Sequence, residues 1–510
     1  DKPPLSAGEI ELVTRWVSQG AKDDTPASAL ARYDMDHPPT YSRPPVIASL
    51  DASPDGKLLA VAGYHEVLLW KADGSELVGR LVGLSERIES VKFSPDGARL
   101  AVTGGLPARM GEVQIWDVAK RKLILSVPVT YDTVFGASWS PDGSKIAFGC
   151  TDNTVRAIDA KTGEQVLFMG SHSDWALDTV FSKDGSHLIS VGRDMTTKLT
   201  EVATQRFVDN VSSITPGALK GGIAAVARHP QRDEVIIGGS DGIPKLYRVF
   251  RLTSRVIGDD SNLVREFPGM PGRVYSVAVS ADGKRIAAGS SLDGAGQVNV
   301  YSYEFNTDLP DNLKAIMSKV ASTRSAQENE VLANYFKDGV KLIASTPMAK
   351  GGVYALAFLP DGKSVAAAGG DGTVRLLETE TGKLIKEWIP APVQGSGSLL
   401  AAKGGAIPPM PDETPETEML PKGAVVSSIE VEPKELRLAG RFAYAQLLAT
   451  ATLASGDRVD VTRMVTHKIS ANIAELSKSG LARPRSDGKA VLTVTIGGKS
   501  AEVPVTVLGL

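Results

Sequence analysis

Short apolar stretches alternate with polar positions and Gly-containing turns over most of the chain, a pattern typical of β-strands. One stretch shows the unit clearly: the strand-like ESVKF is followed by the turn SPDG, a more apolar strand, ARLAVTGG, and a third, GEVQIWDVAKRK. In the turn, Pro fixes one backbone torsion, Asp accepts bonds from the following backbone and Gly tolerates a positive φ. The pattern predicts hairpins whose Asp residues are structural turn positions rather than metal ligands.

This turn recurs along the chain, from starting positions 53, 94, 140, 182, 229, 280 and 359, where position 229 begins a degenerate form, HPQR. The successive steps are 41, 46, 42, 47, 51 and 79 residues. Repeats of about 40 to 50 residues with several strands each are typical of propeller blades. We therefore predict an all-β fold with a seven-bladed propeller over residues 44–390, in which each blade covers the apolar face of its neighbour.

The long last step contains an insertion, at about 306–350, with helical patterning. Leu313, Ile316, Met317 and Val320 fall on one helical face, and Ser325 begins a capping box. The insertion is either an amphipathic decoration folded onto the propeller or a docking arm for a partner.

Two further segments follow the propeller. Residues 391–424 are rich in Pro and Gly, have no sustained period, and are predicted to be a linker. From residue 425 to residue 510 short alternating strands with Gly-containing turns return. This last segment predicts a C-terminal β-sandwich.

The first residues, 1–25, predict a short helix. Ser6 and Glu9 form a capping box, an apolar stripe includes Ile10 and Trp16, and Gly20 stands at the expected terminator. The helix either packs on the neighbouring domain or is the end of an upstream domain, and residues 26–43 connect it to the propeller.

Composition narrows the classes of partner. The chain has 56 basic and 59 acidic residues, for a net charge of -3, so no global field attracts nucleic acid or an anionic membrane. Its apolar runs are too short for a membrane span. Cys150 is the single cysteine, which excludes an internal disulfide and a Cys-x-x-Cys haem attachment, and we interpret it as a small buried apolar residue.

Several stretches resemble the WD-repeat propeller family, namely VQIWDVAKRK with its Trp116-Asp117 pair, DNTVRAIDAKTGE and DGTVRLLETETGK. Most repeats lack the Gly-His start and several lack the Trp, so we expect the hydrogen-bonded tetrad of well-formed repeats to be incomplete. The stretch GSHSDW, from Gly170, comes nearest to the Gly-His element.

The C-terminal segment resembles bacterial Ig-like group 2 domains, through IEVEPKELRL, LLATATLASGDRVDVT and GKAVLTVTIGGKSAEVPVTV. That resemblance implies an extracytoplasmic spacer or adhesion module. The first helix resembles the final helix of the c-type cytochrome domain in large planctomycete-type proteins, where WD-like repeats and an Ig-like domain follow. This resemblance implies a bacterial protein, periplasmic or on the cell surface, with no cofactor within this chain but haem c in an upstream segment or partner.

A search for catalytic chemistry finds little. The six histidines are scattered, a Gly-x-Ser-x-Gly elbow is missing from the sequence, and the GGKS stretch at Gly497 is interpreted as a hairpin turn rather than a phosphate loop. The sequence predicts no catalytic, cofactor-binding or metal-binding residue and favours a protein that is not an enzyme.

The expected working surface is the propeller face formed by the loops that enter the first strand and leave the second strand of each blade. Aromatic residues and Arg suit such a face because they bury much area while offering a polar handle. The candidates for partner binding are Tyr64, His65, Arg109, Met110, Trp175, Arg193, Arg273, Tyr275 and Tyr354.

The sequence thus predicts a non-catalytic extracytoplasmic scaffold that binds other proteins, as in a larger complex, with the Ig-like module as spacer. Two alternatives stay open. The chain could be part of an electron-transfer protein whose haem lies elsewhere, or an enzyme or carbohydrate-binding protein that uses the central funnel.

Overall fold

The structure, a computed structural model, describes residues 33–213, 221–254, 260–393, 424–439, 443–477 and 479–509, together with positions 10, 14, 17, 18, 256 and 420. The chain divides into two compact units, residues 1–400 and 401–510.

The repeated turns form as their residue types predict. In the second repeat, Asp96 Oδ1 accepts the backbone N–H of Ala98 at 3.0 Å, and Ser94 Oγ accepts that of Arg99 at 2.9 Å. Gly97 has a φ of +73°, which a side chain would disfavour. The same bonds recur in the turns that begin at positions 53, 140, 182 and 280. These Asp side chains therefore act as acceptors inside their own turns.

Each turn joins the first two strands of a four-stranded antiparallel blade. The first four blades are built, in chain order, from β1 (Leu50–Ala52), β2 (Leu58–Ala62), β3 (Tyr64–Lys71), β4 (Leu77–Phe93), β5 (Arg99–Leu106), β6 (Met110–Asp117), β7 (Lys122–Thr130), β8 (Val134–Trp139), β9 (Lys145–Cys150), β10 (Val155–Asp159), β11 (Gln165–Met169), β12 (Ala176–Phe181), β13 (His187–Gly192), β14 (Thr197–Glu201) and β15 (Arg206–Asn210). The long strand β4 serves as the last strand of blade 1 and the first of blade 2.

Blades 5 to 7 follow the same meander. Their strands are β16 (Ile223–Arg228), β17 (Glu234–Gly239), β18 (Lys245–Arg248), β19 (Leu263–Glu266), β20 (Arg273–Val279), β21 (Arg285–Leu292), β22 (Ala295–Ser302), β23 (Leu342–Met348), β24 (Val353–Phe358), β25 (Ser364–Gly369), β26 (Val374–Glu378) and β27 (Leu384–Trp388). The first strands of successive blades lie side by side around a central channel. The predicted all-β repeat propeller is confirmed.

Apolar clusters between neighbouring blades form the core. One of them joins blades 2 and 3 and includes Val113, Ile115, Phe148 and Cys150. Cys150 is buried, as predicted, and burial raises the pKa of its thiol to about 12. Because every blade presents an apolar face to the next, the ring as a whole supplies the burial that a single sheet lacks.

Blades 1 and 7 meet through packing and a few bonds, and each keeps all four of its own strands. The backbone N–H of Ile47 donates to Gly369 at 3.0 Å, and Tyr41 forms an isolated bridge with Val393. Trp70 Nε1 donates to the Pro390 carbonyl at 3.2 Å. Tyr41, which the sequence placed in the connecting segment, is buried in this junction.

The helical insertion lies between β22 and β23 of blade 6. Its helices are α1 (Asp311–Met317) and α2 (Ala326–Tyr335), and Ser325 caps α2 in the expected capping box. The insertion is shorter than predicted, because residues 342–348 form β23 and complete the blade. Leu313 and Met317 are buried on the predicted helical face, whereas Val320 is exposed.

Buried arginines of blade 5 hold the insertion against the propeller. Arg265, almost fully buried, donates to the carbonyls of Asn306 at 2.8 Å and Asp338 at 2.7 Å. Its guanidinium also lies 4.4 Å from the ring centre of Tyr335. The insertion is therefore folded onto the propeller, as the first of the two alternatives expected.

The second unit contains three sheets around one apolar core. Its strands are β28 (Val426–Glu432), β29 (Leu436–Ala439), β30 (Ala445–Gln446), β31 (Leu448–Leu453), β32 (Arg458–Asp460), β33 (Thr466–Ile469), β34 (Ala474–Leu476), β35 (Leu481–Pro484), β36 (Gly488–Ile496) and β37 (Lys499–Leu508). The sheet orders are β28-β31-β32, β29-β37-β36-β33 and β30-β35-β34, with β29 parallel to β37. Gly497 and Gly498 form the β36–β37 hairpin turn, as the sequence predicted for GGKS.

Of the predicted first helix, only positions 10, 14, 17 and 18 are described, and all four are helical and exposed. Thr14 Oγ1 donates to the Ile10 carbonyl at 2.7 Å. The predicted capping box, Trp16, the terminator and residues 19–32 lie outside the described residues, as does most of the predicted linker.

Candidate protein-binding face

The meander gives the propeller two faces. The repeated turns between first and second strands lie on one face, here called the turn face. The loops that enter the first strand and leave the second strand lie on the opposite face, here called the loop face. All nine sequence candidates lie on the loop face or at the strand ends next to it.

A buried hydrogen-bonded group organises the loop face of blade 4. His172 Nε2 lies 2.8 Å from Ser190 Oγ, and His172 Nδ1 lies 3.0 Å from both carboxylate oxygens of Asp194. Burial alone would raise the pKa of Asp194, but the bonds from His172, the Ser173 backbone and Thr196 lower it to about 2. Strand β14 carries no Trp, so the group is incomplete, as expected.

This group fixes two loops, and each of them carries a candidate. Trp175 stands just before β12, and Arg193 directly follows β13. The Arg193 guanidinium lies 4.6 Å from the Trp175 ring centre, and its Nε lies 3.6 Å from the Asp174 carboxylate. Phe135 also stacks on Trp175, with ring centres 5.8 Å apart. The result is an Arg–Trp–Phe group spanning blades 3 and 4.

A second aromatic pair stands at the mouth of the central channel. Tyr275 of β20 and Tyr354 of β24 meet edge to face, with ring centres 5.1 Å apart. Both residues line the channel, whose volume is about 1020 Å³. Blades 6 and 7 therefore each contribute one ring to the same rim.

A third group lies on blade 1. Tyr64 and His65 begin β3, with ring centres 4.6 Å apart, and Tyr33 packs against His65 at 5.0 Å. Burial lowers the pKa of His65 and so favours its neutral form, although the charge of Glu86 opposes that effect. This group is aromatic and uncharged.

The remaining candidates do not belong to these groups. Arg109 and Met110 lie at the β5–β6 hairpin, and Arg273 begins β20. Both arginines are exposed. Among the described residues, neither arginine forms an ion pair or a ring contact of the kind that joins Arg193 to Trp175.

The sequence search missed Phe135, although a signal for it exists. Phe135, Tyr275 and Tyr354 all stand five positions before the start of the repeated turn in their blades. Aligning the repeats on that turn would have placed all three rings at one height of the channel. Tyr33 has no comparable signal, because it precedes the first repeat.

Charged side chains line the channel below the rim. Lys92 Nζ lies 3.5 Å from Asp51 Oδ1, and Asp51 Oδ2 accepts the backbone N–H of Phe93 at 2.8 Å. Asp178 Oδ2 accepts the backbone N–H of Val226 at 2.9 Å. Burial raises the pKa of Asp178 to about 6, against the opposing effects of Val226 and Lys92. These two carboxylates therefore link neighbouring blades.

The described residues contain neither a metal-binding cluster nor a helix that could span a membrane. No three His, Cys, Asp or Glu side chains in that part of the chain come close enough together to hold a metal ion. Of the helices found there, none is long and apolar enough to span a bilayer.

Comparison with protein-family models finds two kinds of WD-repeat match. The WD domain, G-beta repeat model matches residues 122–159 and 261–296, and the model of the anaphase-promoting complex subunit 4 WD40 domain matches residues 325–395. Together with the seven blades, these matches show that the chain contains WD40 repeats arranged as a propeller.

Curated relatives match about half of the chain or less. Eukaryotic translation initiation factor 3 subunit I of Coccidioides immitis is 27% identical over 282 residues, which cover 50% of this chain and 78% of the relative. The same subunit of Emericella nidulans is 29% identical over 205 residues, 38% of this chain and 59% of the relative. The WD repeat-containing protein 26 homolog of Arabidopsis thaliana is 23% identical over 279 residues, 48% and 47% of the two chains.

These relatives correct three expectations. The resemblance to planctomycete-type cytochrome, WD-repeat and Ig-like proteins is wrong, because the relatives are eukaryotic proteins, several of them subunits of a translation initiation factor. The bacterial and cytochrome-associated assignment is wrong for the same reason, as is the expected periplasmic or cell-surface location. The error arose because a helix of about twenty residues and an order of modules were given more weight than the repeats themselves.

Proposed function

We propose that this chain is a non-catalytic scaffold that binds a protein partner on the loop face of its propeller. The observation that carries the proposal is the Arg–Trp–Phe group, since His172, Ser190 and Asp194 hold its loops in place. A rigid, partly exposed Trp beside an Arg is the kind of anchor that dominates binding energy at interfaces.

The channel chemistry supports binding over catalysis. Asp51 is paired with Lys92, and Asp178 is bound to a backbone N–H of the next blade. Both carboxylates thereby join neighbouring blades, so each has a structural role in the channel wall. The expectation that this chain itself holds no cofactor stays a prediction, and so does the carbohydrate alternative.

The curated relatives support a role within a multi-protein assembly. Two of them are named as subunits of a translation initiation factor, and a family model is that of a subunit of the anaphase-promoting complex. We extend to this chain only the general role, a subunit that holds other proteins together. For the second unit we propose an Ig-like spacer, in keeping with its sheets around a single core.

The test is affinity capture from an extract of the native source, with binding measured by quantitative mass spectrometry. A Trp175→Ala, Tyr354→Ala variant removes two loop-face anchors, and should reduce capture of the true partner by about tenfold or more. The matched control, Lys284→Ala with Lys363→Ala, alters two exposed side chains on the turn face and should leave capture unchanged. Equal capture by both variants, or loss only with the control, would overturn the proposal.

A further inference from the structure

The first strands of the blades wall the channel in layers, which the repeated turn makes easy to count. The residues five positions before each turn form the uppermost layer, here called the mouth layer, because the loop face lies at that end. All of them line the channel: Ala48, Glu89, Phe135, Leu177, Ala224, Tyr275 and Tyr354.

β-Bulges accompany this layer in blades 2, 6 and 7. The register of β4 shifts between Ile88 and Ser90, and β20 and β24 shift at the corresponding Tyr275 and Tyr354. A bulge adds a residue on one strand and re-aims its side chain. Glu89 is thus placed at the height of three aromatic rings.

Glu89 differs from the other channel carboxylates in having no partner. Within the described residues its side chain makes no hydrogen bond and no ion pair, whereas Asp51 and Asp178 are both engaged. Burial raises the pKa of Glu89, although the charge of Arg87 opposes that effect. A half-buried, unpaired carboxylate gains most from a cation that replaces its lost hydration.

The neighbouring rings favour the same kind of ligand. Tyr and Phe faces attract cations, and the attraction strengthens as water is excluded. Leu177 and Ala224 complete the layer and offer an apolar wall for an alkyl stem. An anionic group would meet Glu89 directly, and a metal ion would find a single carboxylate there.

We infer that the mouth layer binds a Lys or Arg side chain, which an extended segment of the partner inserts into the channel. This inference rests on the proposed function. The ammonium or guanidinium group lies against Glu89 and the rings of Phe135, Tyr275 and Tyr354. The channel, at about 1020 Å³, has room for the flanking peptide. Charge complementarity selects this occupant over neutral or acidic peptides.

The test uses fluorescein-labelled Gly-Ser peptides with one central Arg, Lys, Gln or Glu, and measures fluorescence anisotropy against the full chain. The Arg and Lys peptides should bind at least about tenfold more tightly than the Gln peptide. Glu89→Gln keeps the shape, removes the charge and should abolish most of that preference. Glu89→Lys should reverse it, so that the Glu peptide binds best.

Glu76→Gln is the control, because it makes the same change at an exposed acid in the turn between β3 and β4. It should leave all four peptides unaffected. Equal binding of the Arg and Gln peptides, or a preference that survives in Glu89→Gln and Glu89→Lys, would overturn the inference. Circular dichroism and the unfolding midpoint confirm that each variant is folded.

Failure of this inference and failure of the proposed function give different results. If Glu89→Gln captures the partner normally but the double variant Trp175→Ala, Tyr354→Ala does not, then the loop face binds a partner without recognising a basic side chain. If the Arg peptide depends on Glu89 but neither variant changes partner capture, the cation site exists and docking on the loop face is wrong.

Discussion

The wall of the central channel is built differently in blades 1 to 4 and in blades 5 to 7. In the first group, polar side chains of one inner strand bind the backbone of the next: Ser49 to Val91, Ser90 to Ala137 and Asp178 to Val226. In the second group the residues four positions before the turn are Ala225, Ser276 and Ala355, and those two positions before it are Ala227, Ala278 and Ala357. No bond of that kind joins the inner strands of blades 5, 6 and 7 in the described structure.

The difference shows that one fold accepts two ways of joining blades. Blades 1 to 4 are joined near the channel by directional bonds, which fix the register of adjacent inner strands. Blades 5 to 7 rely on apolar clusters, and blade 5 gains an external support from the insertion and its buried arginines.

The largest loss of stability is expected when the contacts between the insertion and blade 5 are removed. Arg265→Ala leaves the carbonyls of Asn306 and Asp338 without their donors and opens a cavity beside Tyr335. We expect a loss of about 3 kcal/mol in the free energy of unfolding, measured by urea denaturation, and faster proteolysis within residues 304–341.

Arg206→Ala is the control, since Arg206 is exposed on the outer strand of blade 4, and a change within about 0.5 kcal/mol is expected. Similar losses for the two variants would show that blade 5 does not depend on the insertion.

A smaller loss of stability should distinguish the two kinds of channel wall directly. Ser90→Ala leaves the buried N–H of Ala137 without its acceptor and should cost about 1.5 kcal/mol. Ser276 occupies the same layer in blade 6, and no hydrogen bond of its side chain is found in the described structure, so Ser276→Ala should be nearly neutral. Urea denaturation of the matched pair measures the difference, and equal losses would remove the distinction between the two groups of blades.

The smallest expected effect is a change in how stability depends on pH. Burial raises the pKa of Asp178 from the ordinary 3.8 to about 6, so the folded protein holds this proton more tightly than the unfolded chain. Its contribution to stability is therefore complete below pH 3.8 and is lost as pH rises through about 6. Asp178→Asn removes this dependence, so the free energy of unfolding of the variant should rise relative to that of the parent as pH increases from 3.8 through about 6, and stay level above that. The expected gain is on the order of 1 kcal/mol, discounted for solvent in the channel. If urea titrations gave parallel curves of unfolding free energy against pH for the variant and the parent, the raised pKa of Asp178 would be contradicted.

The blades could be predicted because their signal is local. A Ser, Asp and Gly at fixed offsets make the same bonds in five of the seven turns, so the repeat can be counted in the sequence. The end of the insertion was misplaced because residues 342–348 had been grouped with the helical pattern before them, although they alternate as a strand.

The candidate site was harder to predict, because its contacts join distant repeats. The pairing of Tyr275 with Tyr354 follows from two blades lying side by side, and the isolation of Glu89 depends on a bulge. The burial of Arg265 depends on an insertion in blade 6 that reaches blade 5. Composition and spacing contain none of these relations.

The junction between blades 1 and 7 gives the propeller a seam. Every other pair of neighbouring blades is connected by the chain, whereas these two meet only through side-chain packing and bonds such as that from Ile47 to Gly369. The ring is in effect a linear array of repeats whose two ends bind each other, at the high effective concentration that the intervening blades impose. Closure is thus an intramolecular association, and the contact of Trp70 with Trp388, with ring centres 6.0 Å apart, belongs to the interface that holds the two ends together.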